Sequence, residues 1–157
     1  RVGTGVCDFC EELSLNTKKW DLAETVSGGP FHEVLNHEIL FNCVVATPKT
    51  PVFFHPNYIA SKRNLSVIGD IACDPDSHYN PIPIYSTPTT WNKPALNIVS
   101  DPRLDIMAID NLPSLLPKES SIDFAEQILP YLLGFDKKTK EVWERSKEIF
   151  KSKVSEV

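Results

Sequence analysis

Leu104-Asp105-Ile106-Met107-Ala108-Ile109-Asp110-Asn111-Leu112-Pro113-Ser114-Leu115-Leu116-Pro117 decides how this chain is read. A short apolar run with β-branched residues reads as a buried strand, and it stops at one acid followed by proline-marked chain. Upstream, Leu65-Ser66-Val67-Ile68-Gly69-Asp70-Ile71-Ala72 has the same design and runs into Cys73-Asp74-Pro75-Asp76. Continuous apolar runs, unlike alternating ones, mark parallel strands buried on both faces. Ligands of such sheets sit beyond the carboxyl ends of the strands, so acids, amides and small residues there are the place to expect chemistry.

Bulk properties narrow the classes. A chain of 157 residues can bury a real core, with one domain plus an appendage as the natural expectation. Sixteen basic against twenty-one acidic residues give a formal charge of −5, and no basic stripe interleaves with aromatics. This argues against a nucleic-acid partner. No apolar run reaches the roughly 20 residues that cross a bilayer, and no signal peptide is legible. Four cysteines are too few for a disulfide framework in a chain this long and fit a reducing, cytoplasmic compartment.

The chain opens Arg1-Val2-Gly3-Thr4-Gly5, without methionine or a leading strand, and so reads as the later part of a longer protein. Val6 to Leu13 has helical spacing. Lys18-Lys19-Trp20-Asp21 reads as a short strand ending in an acid. Gly28-Gly29-Pro30 breaks the chain before a helical turn from Phe31 to Asn36, and Glu38 to Ala46 is a clear strand. Five prolines between residues 74 and 95 forbid regular helix there, while Tyr79, Ile82, Ile84, Tyr85 and Trp91 predict an ordered loop. Phe124, Ala125, Ile128, Leu129, Leu132 and Leu133 form one helical face, with Ser120 or Ser121 as N-cap, a kink at Pro130 and a stop at Gly134. Lys137 to Val154 predicts a second amphipathic helix.

Gly3-Thr4-Gly5 opening a helix is a partial dinucleotide fingerprint, because glycines let the backbone approach a pyrophosphate at a helix N-terminus. Asp21 follows Gly5 by sixteen positions. With a first glycine upstream, it falls near the spacing of about 20 expected of the acid that binds a ribose 2′-hydroxyl. A carboxylate there repels a 2′-phosphate and favours NAD over NADP. Cys7 and Cys10 form a C-x-x-C without a second pair, and Cys43 and Cys73 stand singly, so a four-ligand zinc site is not expected. Asp70, Asp74, Asp76 and His78 are oxygen-rich but lack a calcium-loop pattern. His32, His37 and His55 read as surface or loop residues. Asp74 and Asp110 are the polar anchors expected at the two strand ends.

Three segments carry a resemblance to a family. Val67 to Asp74, Asn80-Pro81-Ile82-Pro83-Ile84-Tyr85, and Ile109 to Ser120 closely resemble saccharopine dehydrogenase of the NAD-dependent, L-lysine-forming type. Lys19-Trp20-Asp21, Glu24-Thr25, Gly28 to Phe31 and Asn42-Cys43 fit the same pattern, which fades after Gly134. The resemblance implies an α/β fold related to alanine dehydrogenase. Residues 1–114 would form a Rossmann-like, doubly wound parallel sheet for NAD, its first strand missing. Residues 115–157 would be C-terminal helices returning to a split N-terminal catalytic domain. It also implies NAD contacts at Arg1, Asp21, Thr25, Val45, Ile71, Ile109, Asp110, Asn111 and Leu112, and saccharopine contacts at Ala72, Cys73 and Asp74. Val2, Val45 and Asn111 depart from the cysteine, aromatic and (in some members) histidine of that pattern.

By the same resemblance the acid–base lysine and histidine belong to the missing N-terminal segment. The chain then holds no catalytic residue and no metal, and alone it is expected to be inactive. The implied reaction is oxidative cleavage of saccharopine to lysine and 2-oxoglutarate. Two other readings are the NADPH-using lysine–2-oxoglutarate reductase half of a bifunctional enzyme, which Asp21 and Pro113 to Pro117 disfavour, and a non-catalytic NAD-binding module.

Overall fold

A computed structural model describes residues 2–135 and 140–155. The chain falls into two compact units, Arg1–Leu112 and Pro113–Val157. The first is α/β and holds a four-stranded sheet in the order β1-β2-β4-β3. Strands β1 (Ile39–Asn42), β2 (Val67–Asp70) and β4 (Arg103–Met107) run parallel, and β3 (Leu96–Ser100) pairs antiparallel with β4.

The three parallel strands are those the apolar runs announced, each shorter than its run. β3 was not foreseen. Leu96-Asn97-Ile98 alternates half-buried and exposed residues, a period-2 signal at the end of the proline-rich stretch. A register shift between Asn97 and Val99 then leaves Ile98 and Val99 both half-buried. Asp101-Pro102 makes the hairpin loop, where the missing proline N–H costs no ladder bond.

One face of the sheet is packed. Ile68, Leu104 and Ile106 are fully buried, and Leu40 pairs with Ile68 on the same face. Over them lie Phe31, Val34 and Leu35 from a 3-10 turn (His32–Asn36), Phe53, Phe54 and Tyr58 from the next crossover, and Ile82 and Tyr85 from the proline loop. The rings interlock edge-on: Phe31 meets Phe53 at 5.5 Å and Phe54 meets Tyr58 at 5.6 Å between centroids. Backbone bonds pin the loop to the core, with Phe53 N and Phe54 N both donating to the Pro81 carbonyl.

On the opposite face Ile39, Phe41 and Val67 are exposed, which corrects the expectation of burial on both faces. The cause lies in the crossovers. The β1-to-β2 connection carries a single 3-10 turn, Pro56–Ala60, instead of an α-helix, and its apolar residues go to the packed face. Phe41 covers part of this open face by lying over Gly69, its partner in the ladder.

Other expectations are corrected locally. Lys18 to Asp21 is not a strand; Asp21 is the N-cap of a single-turn helix, α2 (Leu22–Thr25). Gly3 and Gly5 do not form a turn before a helix but lie inside α1 (Val2–Glu12). In the second unit α3 spans Pro117–Leu133, so neither Ser120 nor Ser121 is its N-cap. The hydroxyl of Ser120 donates to Pro113 O and that of Ser121 to Pro117 O, while Pro117 takes the first turn, where its missing N–H is harmless. Gly134 closes α3 by donating to Pro130 O, and Phe124, Leu129, Leu132 and Leu133 are exposed. α4 spans Lys140–Ser155; the expected start at Lys137 lies outside the described residues.

Gly69 tests the sheet. A Cβ there would sit 2.6 Å from Phe41 Cδ1, inside van der Waals contact. Gly69→Ala should destabilise the chain by about 1–3 kcal/mol through overpacking. In a urea double-mutant cycle with Phe41→Ala, the pair should lose less than the sum of the singles. Additive losses would show that the ring can swing away freely.

Candidate functional site at the carboxyl ends of the strands

The three parallel strands end at Asn42, Asp70 and Met107, and a carboxylate joins those ends. Asp70 is completely buried. Its Oδ1 accepts from Asn42 Nδ2 at 2.8 Å and from the Cys73 backbone N–H at 3.2 Å, and its Oδ2 accepts from the Tyr85 hydroxyl at 2.7 Å. An acid closing an apolar strand cannot stay charged and dry unless it is paired in this way. The Cys73 bond holds that residue at φ 43°, the left-handed region, with its Sγ donating to Ala108 O at 3.1 Å. Ala108 is fixed in turn by Thr89, whose N–H donates to its carbonyl and whose Oγ1 accepts from its N–H.

Beyond this junction a cleft of about 210 Å³ opens between β1 and β2, with Val45, Ala72 and Asp74 on its wall beside Asn80 and Pro81. Val45 is 89% exposed and Asp74 is exposed, so both are open to solvent at the cleft. Ile71 and Cys73 are half-buried in the same turn. Ile109 is buried and bridges to Thr89, Asp110 is exposed, Asn111 turns the chain at φ 56°, and Leu112 begins a 3-10 turn. Burial, then Asp110, then Asp70 push the Cys73 thiol above its ordinary range, so the ends of β2 and β4 share one electrostatic environment.

Asp21 and Thr25 do not line this cleft. They sit together on α2, where Asp21 Oδ1 accepts from Leu22 N at 2.8 Å and Asp21 N donates to Glu24 Oε2 at 2.7 Å. Thr25 Oγ1 donates to the Asp21 carbonyl at 3.1 Å. This capping box orients Asp21 locally and leaves it exposed. Arg1 lies outside the described residues. All four cysteines are free, with Cys10 buried on α1, and among the described residues no group of three metal-ligating side chains converges. The Asp70, Asp74, Asp76 and His78 set is divided by burial: Asp70 faces inward to Asn42 and Tyr85, the rest outward.

Asn42, Tyr85, Thr89 and Asn80 were missed as site-forming residues. Tyr85 was legible only as an apolar stabiliser of its loop. Its hydroxyl announces itself once Asp70 is seen to need a donor.

That bond sets a pH dependence. Burial first, and then donation to Asp70, push the Tyr85 hydroxyl above its ordinary value of 10.0. Unfolded, the phenol loses its proton above about pH 10, while the folded chain keeps it. The folded state then binds more protons, so stability falls as pH rises. Tyr85→Phe should cost about 1–3 kcal/mol near neutrality, and the gap to wild type should shrink above about pH 10. Urea titrations across that range would refute this if the gap stayed constant.

No protein-family model matches the chain. It is 36% identical over 162 residues to the NAD(+), L-lysine-forming saccharopine dehydrogenase of Candida albicans, covering 99% of this chain and 42% of that protein. The same enzyme of Schizosaccharomyces pombe is 36% identical over 165 residues, covering 100% and 45%, and that of Neurospora crassa 37% over 163, covering 99% and 44%. The chain therefore spans less than half the length of these curated relatives. The similarity that Val67 to Asp74, Asn80 to Tyr85 and Ile109 to Ser120 carry does not stop at Gly134, where it was expected to fade: at 36–37% identity it spans 99–100% of the chain, which is similar throughout to a segment of the L-lysine-forming saccharopine dehydrogenases.

Proposed function

We propose that this chain is the dinucleotide-binding part of an enzyme that oxidatively cleaves saccharopine. Saccharopine, NAD and water would give L-lysine, 2-oxoglutarate, NADH and a proton. The observation that carries this reading is end-to-end similarity to enzymes named for that cofactor and product, combined with an open cleft at the carboxyl ends of parallel strands. An N-terminal segment of the same enzyme would supply the acid–base lysine and histidine.

The residues present suit the cofactor. Exposed Val45 and half-buried Ile71 offer apolar contact beside the cleft, and Ile109, Asp110, Asn111 and Leu112 form the adjoining strand end. Asp21, beside Thr25, presents an exposed carboxylate that would accept from ribose hydroxyls, and its charge disfavours a 2′-phosphate. When bound, NAD accepts the hydride from the carbon bearing the secondary amine. Ala72, Cys73 and Asp74 would hold saccharopine so that this carbon faces the nicotinamide, a positioning task. Residues 1–114 would then be the cofactor domain, and 115–157 helices that return to the catalytic domain. The exposed Phe124, Leu129, Leu132 and Leu133 on α3 favour that role. Free cysteines agree with a cytoplasmic enzyme of lysine biosynthesis.

Two outcomes test this reading. Residues 1–157 expressed alone should be poorly soluble and should form no NADH from saccharopine, and supplying the N-terminal part should restore both. In that active enzyme Asp21→Ser keeps an N-cap oxygen but removes the charge. It should raise KM for NAD by about tenfold, the worth of one charged hydrogen bond, and narrow the gap to NADP. An assembled enzyme that yields no NADH with saccharopine would refute the activity. Unchanged KM values for both cofactors would take Asp21 off the ribose.

A further inference from the structure

One donor of a cleft-lining residue, Asn80, has no partner among the described residues. Asn80 is 6% exposed, and its Oδ1 accepts from Ile82 N at 2.8 Å. That bond fixes the amide, because a flip would set its NH₂ against the Ile82 N–H. Nδ2 is therefore held as a donor. It is buried and, among the described residues, has no partner. Buried donors are almost always paired, so an orphan marks an acceptor still to come. Asp70, bonded by Asn42, Cys73 and Tyr85, is not within hydrogen-bond reach of this amide. The Asp74 carboxylate on the same cleft wall is exposed, with no side-chain hydrogen bond among the described residues.

We propose that Asn80 is a specificity-determining residue that donates to the carboxylate of an amino-acid head group whose ammonium is set against Asp74. This rests on the saccharopine reading and names the end of the substrate that the cleft grips. A zwitterion requires one fixed donor and one free anion side by side, and Asn80 and Asp74 supply them. The cleft of about 210 Å³ suits a head group, while a dinucleotide would extend beyond it along the adjoining strand end. Val44, Val45 and Pro81 complete the wall and give the remaining chain an apolar exit.

Asn80→Asp isolates the donor, because it keeps an oxygen for Ile82 N and replaces only Nδ2. In the assembled enzyme it should raise KM for saccharopine about tenfold or more and leave KM for NAD unchanged. The defect should shrink as pH falls into the range where the new carboxyl is protonated and donates again. An unchanged KM for saccharopine, a rise confined to NAD, or a defect flat with pH would overturn the assignment while saccharopine turnover by the wild type keeps the function standing. Independently of turnover, the Asn80 side-chain amide resonances of ¹⁵N-labelled wild type should shift on titration with L-lysine. If the wild type fails to turn over saccharopine, a shift still supports the inference and its absence overturns it.

Discussion

A carboxylate with no access to water is the constraint on which this structure turns. Asp70 sits where β2 runs out, and the backbone ladder ends at the same point. Left unpaired, a buried charge would be prohibitive, and each neutral donor taken from it costs about 1–3 kcal/mol. Its partners come from three separate places: Asn42 at the end of β1, Cys73 one turn on, and Tyr85 from the proline loop. Satisfying one group therefore fixes the relative positions of three segments. Cys73 extends the tie to β4 through Ala108.

The proline loop shows how order arises without regular structure. Residues 74–95 contain no helix and no named strand, yet Asn80, Pro81, Ile82, Tyr85 and Thr89 are buried. Each is held by a specific bond or by the core: Pro81 O by Phe53 N and Phe54 N, Asn80 Oδ1 by Ile82 N, Tyr85 by Asp70, and Thr89 by Ala108. Proline lowers the entropy of the unfolded loop, so fewer such bonds suffice to order it. Held in this way, Asn80 and Pro81 line one wall of the cleft.

This division also explains what was legible beforehand. Ile68 and Ile106 announce their strands because burial demands continuous apolar residues, and the same logic placed Asp74 and Asp110 at strand ends, whereas β2 closes on Asp70 and β4 on Met107. β3 was hidden because its alternation is short and a bulge interrupts it at Ile98. Lys18 to Asp21 misled because an acid after an aromatic serves a strand end and a helix cap equally well, and the Glu24 capping partner decides for the cap. The roles of Asn80 and Tyr85 depend on which buried atoms lack partners, a three-dimensional property that no local pattern contains.

The chemistry open to this cleft follows from the same pairing. Burial and the neighbouring acids keep the Cys73 thiol protonated at neutral pH, where it serves as a donor to Ala108 and not as a nucleophile. The Tyr85 proton is committed to Asp70, and the Cys43 thiol is pushed up by burial first and then by Cys7. None of these groups is poised to exchange protons near neutrality, as a general acid or base must. What the strand ends offer is fixed geometry: a rigid donor, an exposed anion and apolar walls. On the proposed reading, such a surface holds substrate and cofactor in register while proton transfer is left to groups supplied from outside it. The rigidity that Asp70 imposes is then the contribution of this part to the reaction, because orientation is worth only as much as the framework that maintains it.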